Sequence, residues 1–410
     1  MKNRALGAFA GLCTLLLATV VAVAQPLSLY HDKYFWQKNL QQMASFASSE
    51  GHPFVPTPYA TDQYQAFIAT GVQSGTEPEL FTWWNGSKLK DLVDANAIEP
   101  LDDVWKQAIA AGQMDPAAAD LYRVDGKIYG VPLHLSSWVV FYNKALFAKV
   151  GLTPPKTWTE MMTVCAKFKA AGITPFDATV QDGWRGFIWF EELLLRTDPD
   201  AYMKLSRGEI GYTSAPVKKV FQIWEDLYAK GYFTPATSNE EVLNFARGKA
   251  AMYLMGDWAI QNIIDGGMKP GQDFAAFIMP NIVTSLPPAV INEGSPIVVS
   301  NRGFKDPAVK SFITWWVTEP AAAQWATIAS LYIGNLKAPK PNVIVAEDAK
   351  LLAAEKARVY PRYWEASPSD IVLPAVEQFN KFMVSPTPQV GDQVMAAIDK
   401  IASDYWADHN

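Results

Sequence analysis

Short apolar runs alternate with stretches of helical period from one end of the chain to the other. Pro26-Leu27-Ser28-Leu29-Tyr30 reads as an opening strand, and Trp36, Leu40, Met43 and Ala47 then recur at i, i+4, i+7 and i+11, which predicts a helix. A second strand is expected near Phe54-Val55-Pro56. Asp62 is the expected N-cap of a helix through Tyr64, Phe67 and Ile68, and Glu79 to Trp83 has a short buried-strand pattern. A chain that begins β-α-β-α-β predicts an α/β sheet with covering helices. Farther on, Gly126 to Pro132 reads as a hairpin edge, and strands are expected at Trp138–Tyr142 and Lys249–Leu254. Pro216 in a first turn opens a helix with an apolar face of Val217, Val220, Phe221, Trp224, Leu227 and Tyr228, closed by Gly231. Asp306-Pro307 opens another, and Val390, Val394, Ile398, Ile401 and Tyr405 mark the last. The Pro-rich stretch Ser285–Pro288 reads as a crossing connection.

The first residues change the picture of where this fold operates. Lys2 and Arg4 precede an apolar run from Leu6 to Val23, and Ala22-Val23-Ala24 supplies a small-x-small processing site. This is the pattern of a secretory leader cut after Ala24, too short for a membrane span. The leader would take Cys13 with it and leave Cys165 alone on a helical pattern. One thiol makes no internal disulfide, so the exported fold is expected to rest on its core, with Cys165 a small buried hydrophobe. The formal net charge is −6 and no basic tail is present, which argues against nucleic acid, since phosphate neutralisation needs clustered Lys and Arg.

Motifs for the common catalytic chemistries are missing. The four histidines, His31, His52, His134 and His409, form no H-E-x-x-H, and there is no C-x-x-C, G-x-S-x-G, Walker A or G-x-G-x-x-G. The adjacent acids Asp102-Asp103, Glu191-Glu192 and Glu240-Glu241 point about 100° apart on a helix and read as solvated faces or helix N-termini. Asn85-Gly86-Ser87 reads as a turn. The surplus is aromatic, with 15 Trp, 16 Tyr and 21 Phe, which suits either a core or a ligand-stacking surface.

Three blocks carry a family resemblance: Pro78 to Gly86 with Leu89, Leu92 and Ile98–Leu101; Gly130-Val131-Pro132 with Phe141–Phe147 and Gly151–Trp158; and Gly248–Tyr253 with Gly256-Asp257-Trp258. They resemble the family 1 extracellular solute-binding proteins of sugar ABC transporters. That resemblance implies a two-lobed type II periplasmic-binding-protein fold of the α/β class, with a hinge and an interlobe cleft. It implies a leader at 1–24, lobe one at 25–135 plus 281–345, and lobe two at 136–280 plus 346–410. The chain would cross near His134–Ser136, Pro280–Glu293 and Val345–Leu352. A periplasmic monomer is implied, which captures a mono- or short oligosaccharide in the closing cleft, with ABC permease subunits as partners, and neither cofactor nor metal.

A pyranose has apolar C–H faces and a hydroxyl rim, so flat indoles and hydrogen-bonding side chains suit it. In lobe one the resemblance points to Trp83, Trp84 and Asn85 at a strand end. By alternation one Trp faces the cleft, and Trp83 fits the stacking position better. In lobe two it points to Trp184 and Trp258, with Trp364 as a late-chain candidate. Asp32, Asp62, Ser136, Asp257 and Glu293 are the expected hydroxyl partners. Trp36, Trp105, Trp158, Trp224, Trp315, Trp316 and Trp325 lie in helical patterns and are assigned to packing. Ser136 stands where the maltose-binding relatives have a carboxylate, which argues against a long maltodextrin. Arg185 beside Trp184 leaves room for a ligand carrying phosphate, sulfonate or carboxylate. Two further classes stay open: an exported carbohydrate hydrolase, which needs two carboxylates about 5 to 10 Å apart, for instance Asp257 and Glu293, and a surface adhesin, which needs an exposed aromatic patch.

Overall fold

A computed structural model describes residues 26–409; the expected leader and its cut after Ala24 lie outside them. Among the described residues eleven strands are present: β1 (Leu27–His31), β2 (Phe54–Pro58), β3 (Leu80–Thr82), β4 (Arg123–Val124), β5 (Lys127–Ile128), β6 (Val131–Asn143), β7 (Thr174–Asp177), β8 (Ala250–Gly256), β9 (Phe274–Phe277), β10 (Ala289–Val299) and β11 (Arg358–Pro361). Strands β4 and β5 form the expected hairpin. The other nine lie in one hydrogen-bonded path, β2-β1-β3-β10-β6-β8-β7, with β11 beside β10 and β9 beside β6.

The long strands β6 and β10 join the two ends of this path. Val131–Ser137 of β6 pair with β10, whereas Trp138–Tyr142 pair with β8 and Val140–Asn143 with β9. Likewise Ile297–Val299 of β10 pair with β3, and Ala289–Asn292 with β11. At about 3.3 Å per residue, β6 spans on the order of 40 Å. It reads from sequence as the five residues Trp138–Tyr142 because Pro132, His134 and the two serines interrupt the apolar run before them. The antiparallel register slips between Ser295 and Pro296, and the ring of Pro296, which can donate no ladder hydrogen bond, occupies this bulge.

Helices collect separately at the two ends. Gln37–Ser49 packs on β2 and on Glu319–Ala329. Tyr64, on Thr61–Ser74, donates to the carbonyls of Tyr30 and Thr82 and pins that helix to the C-terminal ends of β1 and β3. At the other end Phe187–Thr197, Ala215–Ala229, Ser369–Val384 and Pro388–His409 pack together. The Pro-rich loop precedes the crossing and does not form it: Ile282 and Val283 hydrogen-bond to the carbonyl of Arg196, and the crossing itself is made by β10.

Two expectations need correction. Ala60, in extended conformation, caps the Thr61–Ser74 helix, so Asp62 lies within its first turn. Glu191 and Glu192 are fully buried; Glu192 pairs with Arg196 at 2.8 Å and Glu191 accepts from the backbone N–H of Tyr363 at 2.7 Å. The Glu240-Glu241 pair does sit at a helix N-terminus, Glu240 as the N-cap of Glu241–Ala246, with Glu240 solvated and Glu241 buried against Arg185. A basic or N–H partner removes the cost of burying each of these acids: Arg196, one turn along, for Glu192, and the distant Tyr363 N–H and Arg185 for Glu191 and Glu241. Cys165 is buried, and burial pushes its thiol well up, as a core residue. Among the described residues no helix is long and apolar enough to cross a membrane, and no cluster of three or more His, Cys, Asp or Glu could hold a metal ion.

Candidate functional site

A cavity of about 560 Å³, its mouth included, opens where the two ends of the sheet meet. Its walls have three origins. Asp32, Lys33, Phe35, Trp36, Thr61 and Trp84 follow the C-terminal ends of β1, β2 and β3; Trp184, Trp258, Arg362, Trp364 and Glu365 come from the other end; His134, Glu293 and Ser295 belong to the crossing strands. Ligands of open α/β sheets bind at the carboxyl ends of strands, where loops converge.

Asp32 ends β1 and is held on both oxygens, by Thr82 Oγ1 at 2.9 Å and Lys33 Nζ at 2.7 Å. Lys33 Nζ in turn lies 5.4 Å from the Trp84 ring centroid. On the floor, Glu293 accepts from Trp138 Nε1 at 3.1 Å and is ion-paired with Arg362. Arg362 also grips Glu365, Nε to Oε2 at 2.7 Å. Burial works against the Arg362 charge, but Glu293 and Glu365 outweigh it and raise the guanidinium above its ordinary value. His134 Nδ1 is 3.0 Å from Ser136 Oγ and Nε2 is 3.8 Å from Glu293. Burial above all, then Lys33 and Arg362, keep His134 well below its usual pKa and therefore neutral.

Five indoles surround these groups: Trp36, Trp84, Trp184, Trp258 and Trp364. Trp258 contacts Trp184 at 6.1 Å, Trp36 at 6.4 Å and Phe35, stacked, at 5.8 Å between centroids. Trp84 and Trp364 approach to 6.3 Å from opposite sides. The indole N–H groups of Trp36, Trp258 and Trp364 are buried and have no acceptor in the protein. Gly86, in the turn after Trp84, has φ +63° and meets the Glu365 carbonyl so closely that any Cβ would collide with it. Lys88 Nζ reaches Ser369 Oγ at 3.1 Å across the same junction.

Of the residues singled out in the sequence, Asp32, Trp84, Trp184, Trp258, Glu293 and Trp364 line the cavity. Trp83, the favoured stacking residue, lies off it: β3 ends at Thr82, so strand alternation stops one residue early, and Trp83 Nε1 donates to the Lys88 carbonyl at 2.8 Å. Asn85 is buried off the wall. The side chain of Asp62 lies outside the described residues. Ser136 and Asp257 bond to each other beside the cavity, and burial raises Asp257 to about 7. Arg185 is buried against Glu241 at 2.5 Å and Asp182 at 3.1 Å, with its guanidinium 4.4 Å from the Trp184 ring centroid; it supports that indole from outside the cavity. Lys33, Phe35, Trp36, Thr61, His134, Ser295, Arg362 and Glu365 line the cavity without having been singled out as site residues. Trp36 has the helix-core spacing its neighbours show, which conceals that it is the last residue of a 3-10 turn facing the cleft. Arg362 and Glu365 bracket Trp364 at i, i+3, a signal a helix reading could have used.

Residues 41–353 match the profile of the bacterial extracellular solute-binding protein family. The chain belongs to that family. Among relatives of this solute-binding protein, an uncharacterised ABC transporter extracellular-binding protein of Pyrococcus horikoshii is 29% identical over 213 residues, 50% of this chain and 48% of the relative. The osmoprotective compounds-binding protein of a Synechocystis species is 25% identical over 284 residues, 65% of each chain. The match thus spans about half to two-thirds of the length of these curated relatives. In structure, the solute-binding protein is similar to the bacterial solute receptor AcbH, described as having an exclusive preference for β-D-galactopyranose, with a TM-score of 0.79, 23% identity, and coverage of 93% of this chain and 99% of that one. The two-lobed fold with its interlobe cleft is therefore shown.

Proposed function

We propose that this chain is the receptor of a carbohydrate ABC importer: it captures a neutral sugar between its lobes, closes on it, and presents the closed form to the permease. The observation that carries this reading is the five-indole cavity with a polar floor. A sugar's C–H faces need flat apolar area, and its hydroxyls need both donors and acceptors. The cavity offers both, and the indole N–H groups of Trp36, Trp258 and Trp364, buried and without a protein acceptor, are the donors we assign to ligand oxygens. In this reading Trp84 and Trp184 work by their faces, and Trp36, Trp258 and Trp364 also by their edges. The family and the galactopyranose receptor of the same fold support the assignment.

An anionic ligand is disfavoured by charge. The two cations on the wall, Lys33 and Arg362, are already matched by Asp32, Glu293 and Glu365, and Arg185 is committed elsewhere. A hydrolase would need Asp257 and Glu293 presented together to the ligand, yet Asp257 is not on the wall. We place the hinge at His134–Ser137 and Asn292–Ser295, with a third crossing near Val345–Leu352, and the mature protein in the periplasm as a monomer.

Thermal shift and Trp fluorescence of the processed protein against neutral, acidic and phosphorylated sugars and polyols test this. Ligand at a thousand times Kd adds roughly 4 kcal/mol to stability. Stabilisation by neutral sugars without product formation is expected. Turnover, or stabilisation by acidic ligands alone, overturns the reading.

A further inference from the structure

A short hydrogen-bonded relay joins the cavity floor to the buried acids behind it. Asp257, just after β8, accepts from Ser136 Oγ and from the Ser137 backbone N–H. Ser136 Oγ lies 3.0 Å from His134 Nδ1, on the same strand β6. His134 lines the cavity, and its other ring nitrogen, Nε2, is 3.8 Å from Glu293, which lines it too. Trp36 packs edge-on against the imidazole, 5.2 Å between centroids, and holds its plane. The hydrogens of this relay are few enough to count. Ser136 has one hydroxyl hydrogen, and neutral His134 has one N–H, on Nδ1 or on Nε2. An ionised Asp257 only accepts, so Ser136 donates to it and accepts from Nδ1–H, and Nε2 is a bare acceptor. A protonated Asp257 donates to Ser136, Ser136 donates to Nδ1, and the imidazole hydrogen is on Nε2. The change takes up one proton in all: as it enters at Nε2, the Nδ1 hydrogen passes to Ser136 and the Ser136 hydrogen to Asp257.

Resting on the receptor reading, we infer that His134 is a ligand-binding residue of the cavity, and that Ser136 and Asp257 are positioning residues that set whether its Nε2 donates or accepts. A sugar hydroxyl between Nε2 and Glu293 accepts from the first and donates to the second when the hydrogen is on Nε2. Against the other tautomer it meets two acceptors with one hydrogen, and one of them is left unmatched. Burial raises Asp257 to about 7, so a neutral sugar binds the acid form better, and its affinity falls as pH rises through that range. The other charged groups facing the relay are Lys33, Glu293 and Arg362 at His134, and Glu293 and Asp348 at Asp257. Lys33 and Arg362 reinforce burial in keeping His134 neutral throughout. Asp348, raised by burial to about 8, titrates close by, and a variant at position 257 separates its effect from that of Asp257.

The test has two arms, and the first needs no sugar. Nitrogen-15 NMR of the histidine-labelled, processed protein reads the tautomer, with the His134 resonances assigned by their loss in His134→Gln. The hydrogen should be on Nε2 at pH 5.5 and on Nδ1 at pH 8.5, with no imidazolium between. In Asp257→Asn the side-chain Oδ1 keeps the Ser137 N–H and Nδ2 donates to Ser136, so the hydrogen should stay on Nε2 at both pH values. Ser136→Ala, which cuts the relay, should likewise show one tautomer at both. The second arm is calorimetric titration at the same two pH values with D-galactose, D-glucose, D-xylose, N-acetylglucosamine, raffinose and maltotriose. A sugar that binds should weaken about ten-fold from pH 5.5 to 8.5, and less than two-fold in either variant. One tautomer at both pH values in the wild type, or a change that persists in Asp257→Asn, overturns the relay and leaves the receptor intact. A change of tautomer with sugar affinity independent of pH removes His134 from ligand contact and overturns the proposal in the same way. No binding by any sugar at either pH overturns the receptor reading, and the ligand contact with it, whatever the tautomer does.

Discussion

Two buried arginines in this protein have nearly the same surroundings. Arg185 lies against Glu241 and Asp182 and over the Trp184 ring; Arg362 lies against Glu293 and Glu365 and 5.6 Å from the Trp138 ring centroid. Only Arg362 faces the cavity. The difference lies in the partners. Arg185 ties a turn to itself, through the Gln181 carbonyl and Asp182, and anchors it to a neighbouring helix. Arg362 links the chain after β11 to Glu293 on β10, so it joins the cavity floor to the proposed hinge. An arginine beside a tryptophan in sequence thus carries little information about ligand contact; the element that supplies its carboxylate carries more.

The largest expected effect follows from Arg362. Arg362→Met leaves two buried carboxylates without a cation, a change that typically costs about 3–5 kcal/mol. We expect a melting temperature lower by about 4–6 °C and sugar affinity reduced about 100-fold or more. Near-normal affinity in the folded variant would remove Arg362 from the binding floor. Arg185→Met sharpens the contrast. It loosens the support of Trp184 and should weaken neutral and acidic sugars by the same factor, about 10-fold, an indirect effect on stacking. A loss confined to acidic ligands would show that Arg185 reaches them.

The tryptophans extend the comparison from cations to donors. Trp258→Phe keeps an aromatic face and deletes a buried N–H. Losing one hydrogen bond to a ligand oxygen should cost about 0.5–1.5 kcal/mol, or roughly 3- to 10-fold in Kd. Trp184→Phe, where the N–H is not buried without a partner, should cost less than Trp258→Phe. Equal losses would mean that the indoles act only by their faces.

What was legible in the sequence follows the physics of each signal. Short strands and amphipathic helices are written in local periodicity, which is why β1, β2, β8 and the helix beginning at Ala215 match expectation. The tryptophans at strand ends are also written locally, apart from the exchange of Trp83 for Trp84, where the strand stops before its alternation is complete. The polar floor is written in no local pattern. Glu293 meets Arg362 across 69 residues of chain, and Glu191 meets the Tyr363 backbone across 172. No period links such pairs; they become neighbours only once β6 and β10 have crossed. Burial of acids is illegible for the same reason at Glu191 and Glu241, which look like surface charges until their distant partners are placed; Glu192 has its partner Arg196 one helical turn away, and only the burial of that pair is hidden.

The smallest effect concerns a third buried charge cluster, one that neither arginine serves. Asp257 accepts from Ser136 and the Ser137 backbone, with Asp348 nearby on the Val343–Glu355 helix. Burial first, and Glu293 after it, raise Asp257 to about 7; burial first, then the charge of Asp257, raise Asp348 to about 8. Against an unfolded value near 3.9, both groups hold a proton in the folded state over a range where the unfolded chain has lost it. Their contribution to stability is therefore complete below about pH 4 and is lost as pH rises through 7 to 8. The melting temperature should fall between pH 5 and 8. Asp257→Asn, neutral throughout, should reduce that fall by about 2–4 °C while changing sugar affinity at pH 6 by less than two-fold, because Asp257 lies off the cavity wall. A parallel fall in wild type and variant would show that Asp257 is ionised in the folded protein. A large affinity loss would move it into the site and dissolve the distinction between clusters that face the ligand and clusters that hold the hinge.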